Sequence, residues 1–133
     1  MNFKAQEINS KDWVYGFYLE TGSHSSGLNG YGWIVVPDHE EHSELSGNPI
    51  EDLTNTYAVD MDTVCVGSLE RDSEGKHIFS GDVIDENFLV TVVFKDGCFM
   101  VKGEGIHQTL KSWLNLRIKA KCPSKIIGNI HDN

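Results

Sequence analysis

A chain of 133 residues, of which 39% are hydrophobic and 10% aromatic, is long enough to form one folded domain without metals or disulfides. Its net charge of −9 argues against non-specific binding of nucleic acid, which needs lysine and arginine to displace counterions. No stretch approaches the roughly 18 apolar residues of a membrane span, and the N-terminus lacks the apolar core of a signal peptide. We therefore expect a cytoplasmic protein with no membrane partner.

The N-terminal part of the chain predicts a β-hairpin followed by an acidic region. Residues 13–19 predict an aromatic strand whose odd-numbered side chains share one face, and residues 33–36 predict a second strand. The pair Asn29-Gly30, in the loop between them, favours a turn. Residues 37–62 hold eight acidic residues and no lysine or arginine, and their first part predicts an irregular loop.

The rest of the chain carries a stronger β pattern. Strands are predicted at residues 63–69, 76–79, 83–84, 88–94, 98–101, 116–121 and 126–130. The pair Asp96-Gly97 predicts a tight hairpin turn. Residues 106–114 have apolar side chains at helical spacing and predict one short helix.

Short strands with turn residues between them, and no alternation of strands with helices, predict a mainly β, antiparallel fold. The expected form is a small barrel or a strongly bent sheet, with an SH3-like barrel for residues 63–131. We expect residues 1–133 to form a single domain, in which residues 1–62 supply the hairpin and acidic loop and residues 63–131 the barrel core.

The most motif-like part of the chain is DSEGKHIFSGDVID, residues 72–85. Asp72 and Gly75 are typical of a turn, and Asp82, which follows a glycine, is placed to accept backbone N–H groups. The alternative is that Asp72, Asp82 and His77 form an acid–base or metal cluster, but their spacing is not diagnostic of a metal site. We favour the structural interpretation and predict no catalytic residue, no metal and no cofactor.

A predicted strand near the C-terminus has apolar side chains on one face and Arg117, Lys119 and Lys121 on the other. Such a face is often simply solvated, or it protects a sheet edge against aggregation. It would also suit an acidic partner, either residues 37–62 of a neighbouring subunit in a homo-oligomer or another protein. Together with Trp113, the same cations would give at most weak, salt-dependent binding of nucleic acid.

Three stretches of the sequence resemble, in the same order, the YopX family of phage and prophage proteins. They are Trp13 to Gly16 (WVYG), Asp62 to Ile84 (DTVCVGSLERDSEGKHIFSGDVI) and Ile126 to Asn133 (IIGNIHDN). The second stretch departs from the family pattern at Ser80, where a glutamate is common. The resemblance implies a largely β fold and an origin in a mobile genetic element, and it supplies no activity, substrate or catalytic residue.

We expect the turn and strand residues of these stretches to act through architecture. They are Gly67, Asp72, Gly75, Ile78, Gly81, Asp82, Gly128 and Asn129. The expected function is that of a non-enzymatic phage or prophage accessory protein that binds another protein or itself. The alternative is a weak nucleic-acid-binding module that uses Arg117, Lys119 and Lys121, and a small hydrolase or metal-dependent enzyme is a third possibility.

Overall fold

The computed structural model describes residues 2–21, 31–37, 55–85 and 88–132. The predicted Asn29-Gly30 turn and most of the predicted acidic loop lie outside the described residues. The strands are β1 (Phe3–Gln6), β2 (Trp13–Thr21), β3 (Tyr31–Val35), β4 (Thr56–Val59), β5 (Cys65–Arg71), β6 (His77–Phe79), β7 (Asp82–Ile84), β8 (Val90–Lys95), β9 (Cys98–Gly103), β10 (Ile106–Thr109) and β11 (Ile126–Asn129). One α-helix, α1 (Leu110–Lys119), and one 3-10 turn (Met61–Thr63) accompany them in the described chain.

The chain consists of two compact units, Met1–Val64 and Cys65–Asn133, which we call unit 1 and unit 2. That the whole chain acts as a single domain stays a prediction. Among the described residues, no helix is long and apolar enough to cross a membrane.

Unit 1 is built on four antiparallel strands in the order β4-β3-β2-β1. Side chains at alternate positions of each strand share one face of the sheet. One of the two faces packs into a small core, in which Ala5, Ile34 and Val59 are buried. Burial, a hydrogen bond to Glu20 and the charge of that carboxylate raise the pKa of Tyr18 to about 12. The phenol therefore stays neutral at physiological pH and adds nothing to the charge of unit 1.

Unit 2 contains an antiparallel pair, β5 with β6, and a five-stranded antiparallel sheet in the order β10-β9-β8-β7-β11. The sheet and α1 enclose the larger core, whose buried members are Ile78, Ile84, Val90, Val92, Val101, Leu110, Trp113 and Leu114. At the β8–β9 turn, Asp96 and Gly97 both have positive φ and Lys95 pairs with Cys98, as a two-residue turn of type I′ requires.

The prediction of a mainly β, antiparallel fold with one short helix is confirmed. The five-stranded sheet is open in the described chain, since β10 and β11 stand at its two ends and are not paired with each other. The closed SH3-like barrel is therefore not the form that these strands take.

The position of the helix differs from the prediction. Residues 106–109 extend the sheet as β10, and the helix begins after Thr109, whose hydroxyl caps it by accepting a hydrogen bond from the Ser112 N–H at 3.2 Å. It continues through most of the segment predicted as the strand 116–121, so that strand prediction is wrong. The helix buries Leu110, Trp113 and Leu114 at the i, i+3, i+4 spacing, and this apolar stripe outweighs the local alternation further on.

A Schellman motif ends the helix without a glycine. Lys121 takes the left-handed conformation with φ 56° and donates its N–H to the Ile118 carbonyl, while the Cys122 N–H reaches the Arg117 carbonyl at 2.9 Å. Because a lysine holds the position where glycine is usual, the sequence gives little warning that a helix ends here.

Candidate functional site

The predicted cationic strand face does not exist. Arg117 and Lys119 lie in the last turn of α1, and Lys121 follows the helix in the left-handed conformation. Residues two apart on a helix point about 200° apart, so Arg117 and Lys119 leave the helix on opposite sides. The three cations therefore do not share one surface.

Arg117 is held in an internal ion pair. Its Nε lies 2.7 Å from Oδ2 of Asp85, and the two side chains are only 11% and 2% exposed. The guanidinium carbon also lies over the rings of Phe88 and Trp113, at 5.0 and 5.7 Å from their centroids. This arrangement ties the end of α1 to the β7–β8 connection, and it gives Arg117 a structural partner within unit 2.

The backbone around Asp85 is equally constrained. Asp85 has a φ of 70°, donates its N–H to the Lys125 carbonyl at 3.0 Å and accepts the Leu89 N–H at 2.8 Å. Sequence reasoning missed this residue, because neither an aspartate in a loop nor an arginine about thirty positions later signals a pair.

Asp72 organises the turn that opens the motif-like stretch. Its Oδ1 accepts the N–H groups of Glu74 and Lys76 at 2.9 and 2.8 Å, and its Oδ2 accepts the Ile126 N–H of β11 at 3.0 Å. One carboxylate thus closes the β5–β6 turn and fastens the start of β11 to it.

Asp82 occupies the second junction of the same stretch and is 1% exposed. Its Oδ2 accepts the Phe79 N–H at 2.8 Å, and its Oδ1 accepts a hydrogen bond from Nδ2 of Asn129 at 2.9 Å. Asn129 in turn accepts the His131 N–H through Oδ1, and the Gly81 carbonyl accepts the Ile130 N–H at 2.9 Å. These bonds join the start of β7 to the end of β11.

The remaining residues of the predicted structural set also lie at strand contacts. Gly67 pairs with Phe79, Ile78 is fully buried, and Gly128 lies opposite Val83 where the register of the β7–β11 pair shifts.

The alternative cluster of Asp72, Asp82 and His77 is not assembled as a site. Both carboxylates hold backbone N–H groups, and the His77 ring contacts the Ser68 carbonyl while packing against Phe79 at 4.7 Å between ring centroids. Within residues 2–21, 31–37, 55–85 and 88–132, no three His, Cys, Asp or Glu side chains are grouped to hold a metal ion.

Two glycines of the stretch offer a matched test of its architecture. Gly75 and Gly81 both have positive φ, but a Cβ at Gly75 would meet nothing within 4 Å, whereas one at Gly81 would meet Nδ2 of Asn129 at 3.1 Å and Sγ of Cys65 at 3.3 Å. We expect Gly75→Ala to lower the free energy of unfolding by about 1 kcal/mol and Gly81→Ala by about 2–3 kcal/mol, because crowding adds to backbone strain. Urea denaturation measures both, and equal losses would show that the contacts around Gly81 do not matter.

The best candidate for a binding surface lies on unit 1. The face of the sheet opposite its core presents apolar side chains from two adjacent strands, and we call it the aromatic face. Its members are Tyr15, Phe17, Leu19, Tyr31, Trp33 and Val35. The predicted period-two face of residues 13–19 lies here, but the pattern alone did not tell which face of the strand is open to solvent.

The strand register brings these side chains together. Phe17 lies opposite Val35 and Leu19 opposite Trp33, while the rings of Tyr31 and Trp33 are 6.4 Å apart. Trp33 is also fixed by its indole N–H, which donates to the hydroxyl of Thr21 at 2.6 Å. The aromatic face is therefore continuous across β2 and β3.

The aromatic face is open to solvent. Tyr15, Phe17 and Tyr31 expose 51%, 53% and 62% of their surface, and Leu19 exposes 38%. Large contiguous apolar patches are rare on the surface of a monomeric protein, and they often mark sites of interaction. Tyrosine, tryptophan and phenylalanine are also enriched at protein interfaces, and tryptophan and tyrosine are frequent among the residues that dominate the binding energy.

Comparison with known proteins places most of the chain in one family. Residues 42–133 match the model of the YopX protein family, while the aromatic face lies before the matched segment. A search of the curated proteins and a search of the solved structures each gave no significant match. Since the match covers more than half of the sequence and confirms the resemblance of its second and third stretches, the chain belongs to the YopX protein family.

Proposed function

We propose that this YopX family member is a non-enzymatic accessory protein of phage or prophage origin that acts in the host cytoplasm by binding another protein. The single observation that carries the proposal is the aromatic face, an exposed apolar surface of the kind that protein interfaces use. The contacts of the charged side chains support it indirectly, including those of Asp72 and Asp82 from the alternative acid–base or metal cluster. Asp72, Asp82, Asp85 and Arg117 are each engaged in bonds that join strands, turns or the helix.

The nucleic-acid alternative has little support from these contacts. It needs Arg117, Lys119 and Lys121 on one accessible surface, but Arg117 is paired with Asp85 and Lys119 leaves the helix on the opposite side. Its basic–aromatic face would also have included Trp113, which is 6% exposed. Stacking of bases requires open aromatic rings, which the buried Trp113 does not offer.

Site-specific photo-crosslinking tests the proposed function and captures the partner in the same experiment. The photoreactive residue p-benzoylphenylalanine replaces Phe17 in the aromatic face or, as a matched control, Phe94 in unit 2, which is 40% exposed. We expect illumination in the bacterial host to give a protein adduct from position 17 and none from position 94. An adduct of twice the chain mass would identify self-association, and the absence of any adduct specific to position 17 would contradict the proposal.

A further inference from the structure

The net charge of the protein comes from one of its two units. Unit 1, residues 1–64, contains two lysines and no arginine against eleven acidic residues, whereas unit 2, residues 65–133, contains nine basic and nine acidic residues. The whole net charge of −9 therefore belongs to unit 1, and unit 2 is neutral. The aromatic face thus belongs to a strongly acidic unit.

Unit 1 has only two lysines, Lys4 and Lys11, and the exposed Lys11 lines a shallow pocket with Tyr31 and Asp60. Lys4 lies opposite Tyr15 in the register of β1 and β2. Its Nζ lies over the Trp13 ring, 4.6 Å from the centroid, and the residue is only 7% exposed, so little of its charge faces solvent. The side chains of the aromatic face carry no charge themselves. A partner therefore meets an uncharged apolar surface on a unit whose electrostatic field is negative.

We infer that the aromatic face docks a basic segment of another protein, in which aromatic or aliphatic anchors are flanked by lysine or arginine. This inference rests on the proposed function and specifies the partner. The anchors would displace water from Phe17, Tyr31 and their neighbours, and the flanking cations would be attracted by the negative field of unit 1.

The same field disfavours the other occupants of this surface. A second copy would bring a unit of charge −9 against another of charge −9, and nucleic acid would bring its phosphates against the same sign. Juxtaposed like charges oppose association, whereas complementary charges raise the rate of encounter.

Selection from a displayed peptide library determines which kind of peptide the aromatic face binds. A random peptide library is selected on the intact protein after depletion on the double variant Phe17→Ser/Tyr31→Ser, which removes two apolar side chains that are more than half exposed. Ile118→Ser is the matched control, because it removes an apolar side chain that is 72% exposed in the neutral unit 2. We expect the enriched peptides to be basic, to carry apolar anchors and to bind the control as tightly as the parent.

Calorimetry on the most enriched peptide then separates the two contributions. We expect its affinity to fall about tenfold or more when its lysines and arginines are replaced by glutamate, and to weaken as salt is raised from about 0.05 M to about 0.5 M. Enriched peptides no more basic than the starting library, or a charge-reversed peptide of equal affinity, would overturn the inference. Dependence of such peptides on Phe17 and Tyr31 would still leave the proposed function standing, and that function fails separately if position 17 gives no specific adduct.

Discussion

Replacing Asp82 with alanine should lower the free energy of unfolding by about 3 kcal/mol, although no reaction is assigned to this residue. The carboxylate is buried and accepts hydrogen bonds from the Phe79 N–H and the Asn129 amide at 2.8 and 2.9 Å. Alanine removes both acceptors and leaves the two donors in a site that admits almost no water. Urea denaturation followed by circular dichroism gives the loss.

The control for this experiment is Glu74→Gln in the same stretch. Glu74 is exposed, and its carboxylate lies 3.6 Å from the half-exposed Nζ of Lys125, so we expect a change below about 0.5 kcal/mol. An Asp82→Ala protein as stable as its parent would mean that the Asp82 bonds do not hold β7 and β11 together. In that case the stretch 72–85 would need a role other than architecture.

The second large effect is expected at the ion pair of Asp85 and Arg117. Asp85→Asn should lower the free energy of unfolding by about 2–3 kcal/mol, because it removes the negative charge beside a guanidinium that is 11% exposed. Asparagine tolerates the positive φ of 70° at this position, so the loss reports the ion pair and not backbone strain. Denaturant unfolding of the variant measures the effect.

A double-mutant cycle isolates the pair. Arg117→Met combined with Asp85→Asn should cost less than the two single changes added together, with a coupling of about 2 kcal/mol. Lys119→Ala, two residues away on an exposed side of α1, should be nearly silent. Additive losses in the double variant would show that Asp85 and Arg117 contribute independently, and they would contradict the structural role of this ion pair.

Local turn chemistry explains why some of the fold was predictable. Asp96-Gly97 favours a two-residue hairpin because both residues tolerate positive φ, and the structure has both in that region. The Ile126 strand and the aromatic strand from Trp13 were also predicted, since apolar and aromatic residues are concentrated over a few positions in each.

Residues 106–121 show where local pattern fails. Ile106 lies at helical spacing from Leu110 and Trp113, but residues 106–109 pair with β9 and form a strand. This pairing is a tertiary contact that sequence spacing does not reveal. The alternation from Leu116 to Lys121 has the period of a strand, yet most of this segment is helical. Burial of Trp113 and Leu114 in the core stabilises the helix to which it belongs.

The candidate site was harder to predict than the fold. The period-two spacing of Tyr15, Phe17 and Leu19 predicts their common face, but whether a core covers that face depends on what packs in three dimensions. The prediction of a common surface for the cations at positions 117, 119 and 121 depended on a strand, in which residues two apart share a face. Arg117 instead meets Asp85, a partner about thirty residues earlier in the chain.

Fluorine NMR of the 5-fluorotryptophan-labelled protein tests the central claim, that unit 1 binds a protein partner through its aromatic face. Trp33 lies in that face, while Trp113 is buried in unit 2, and the signal of Trp33 is assigned from a Trp33→Phe variant. On titration with the most enriched peptide, whatever its charge, the account predicts that the Trp33 resonance shifts or broadens while the Trp113 resonance stays in place. Movement of Trp113 with an unchanged Trp33 would contradict it.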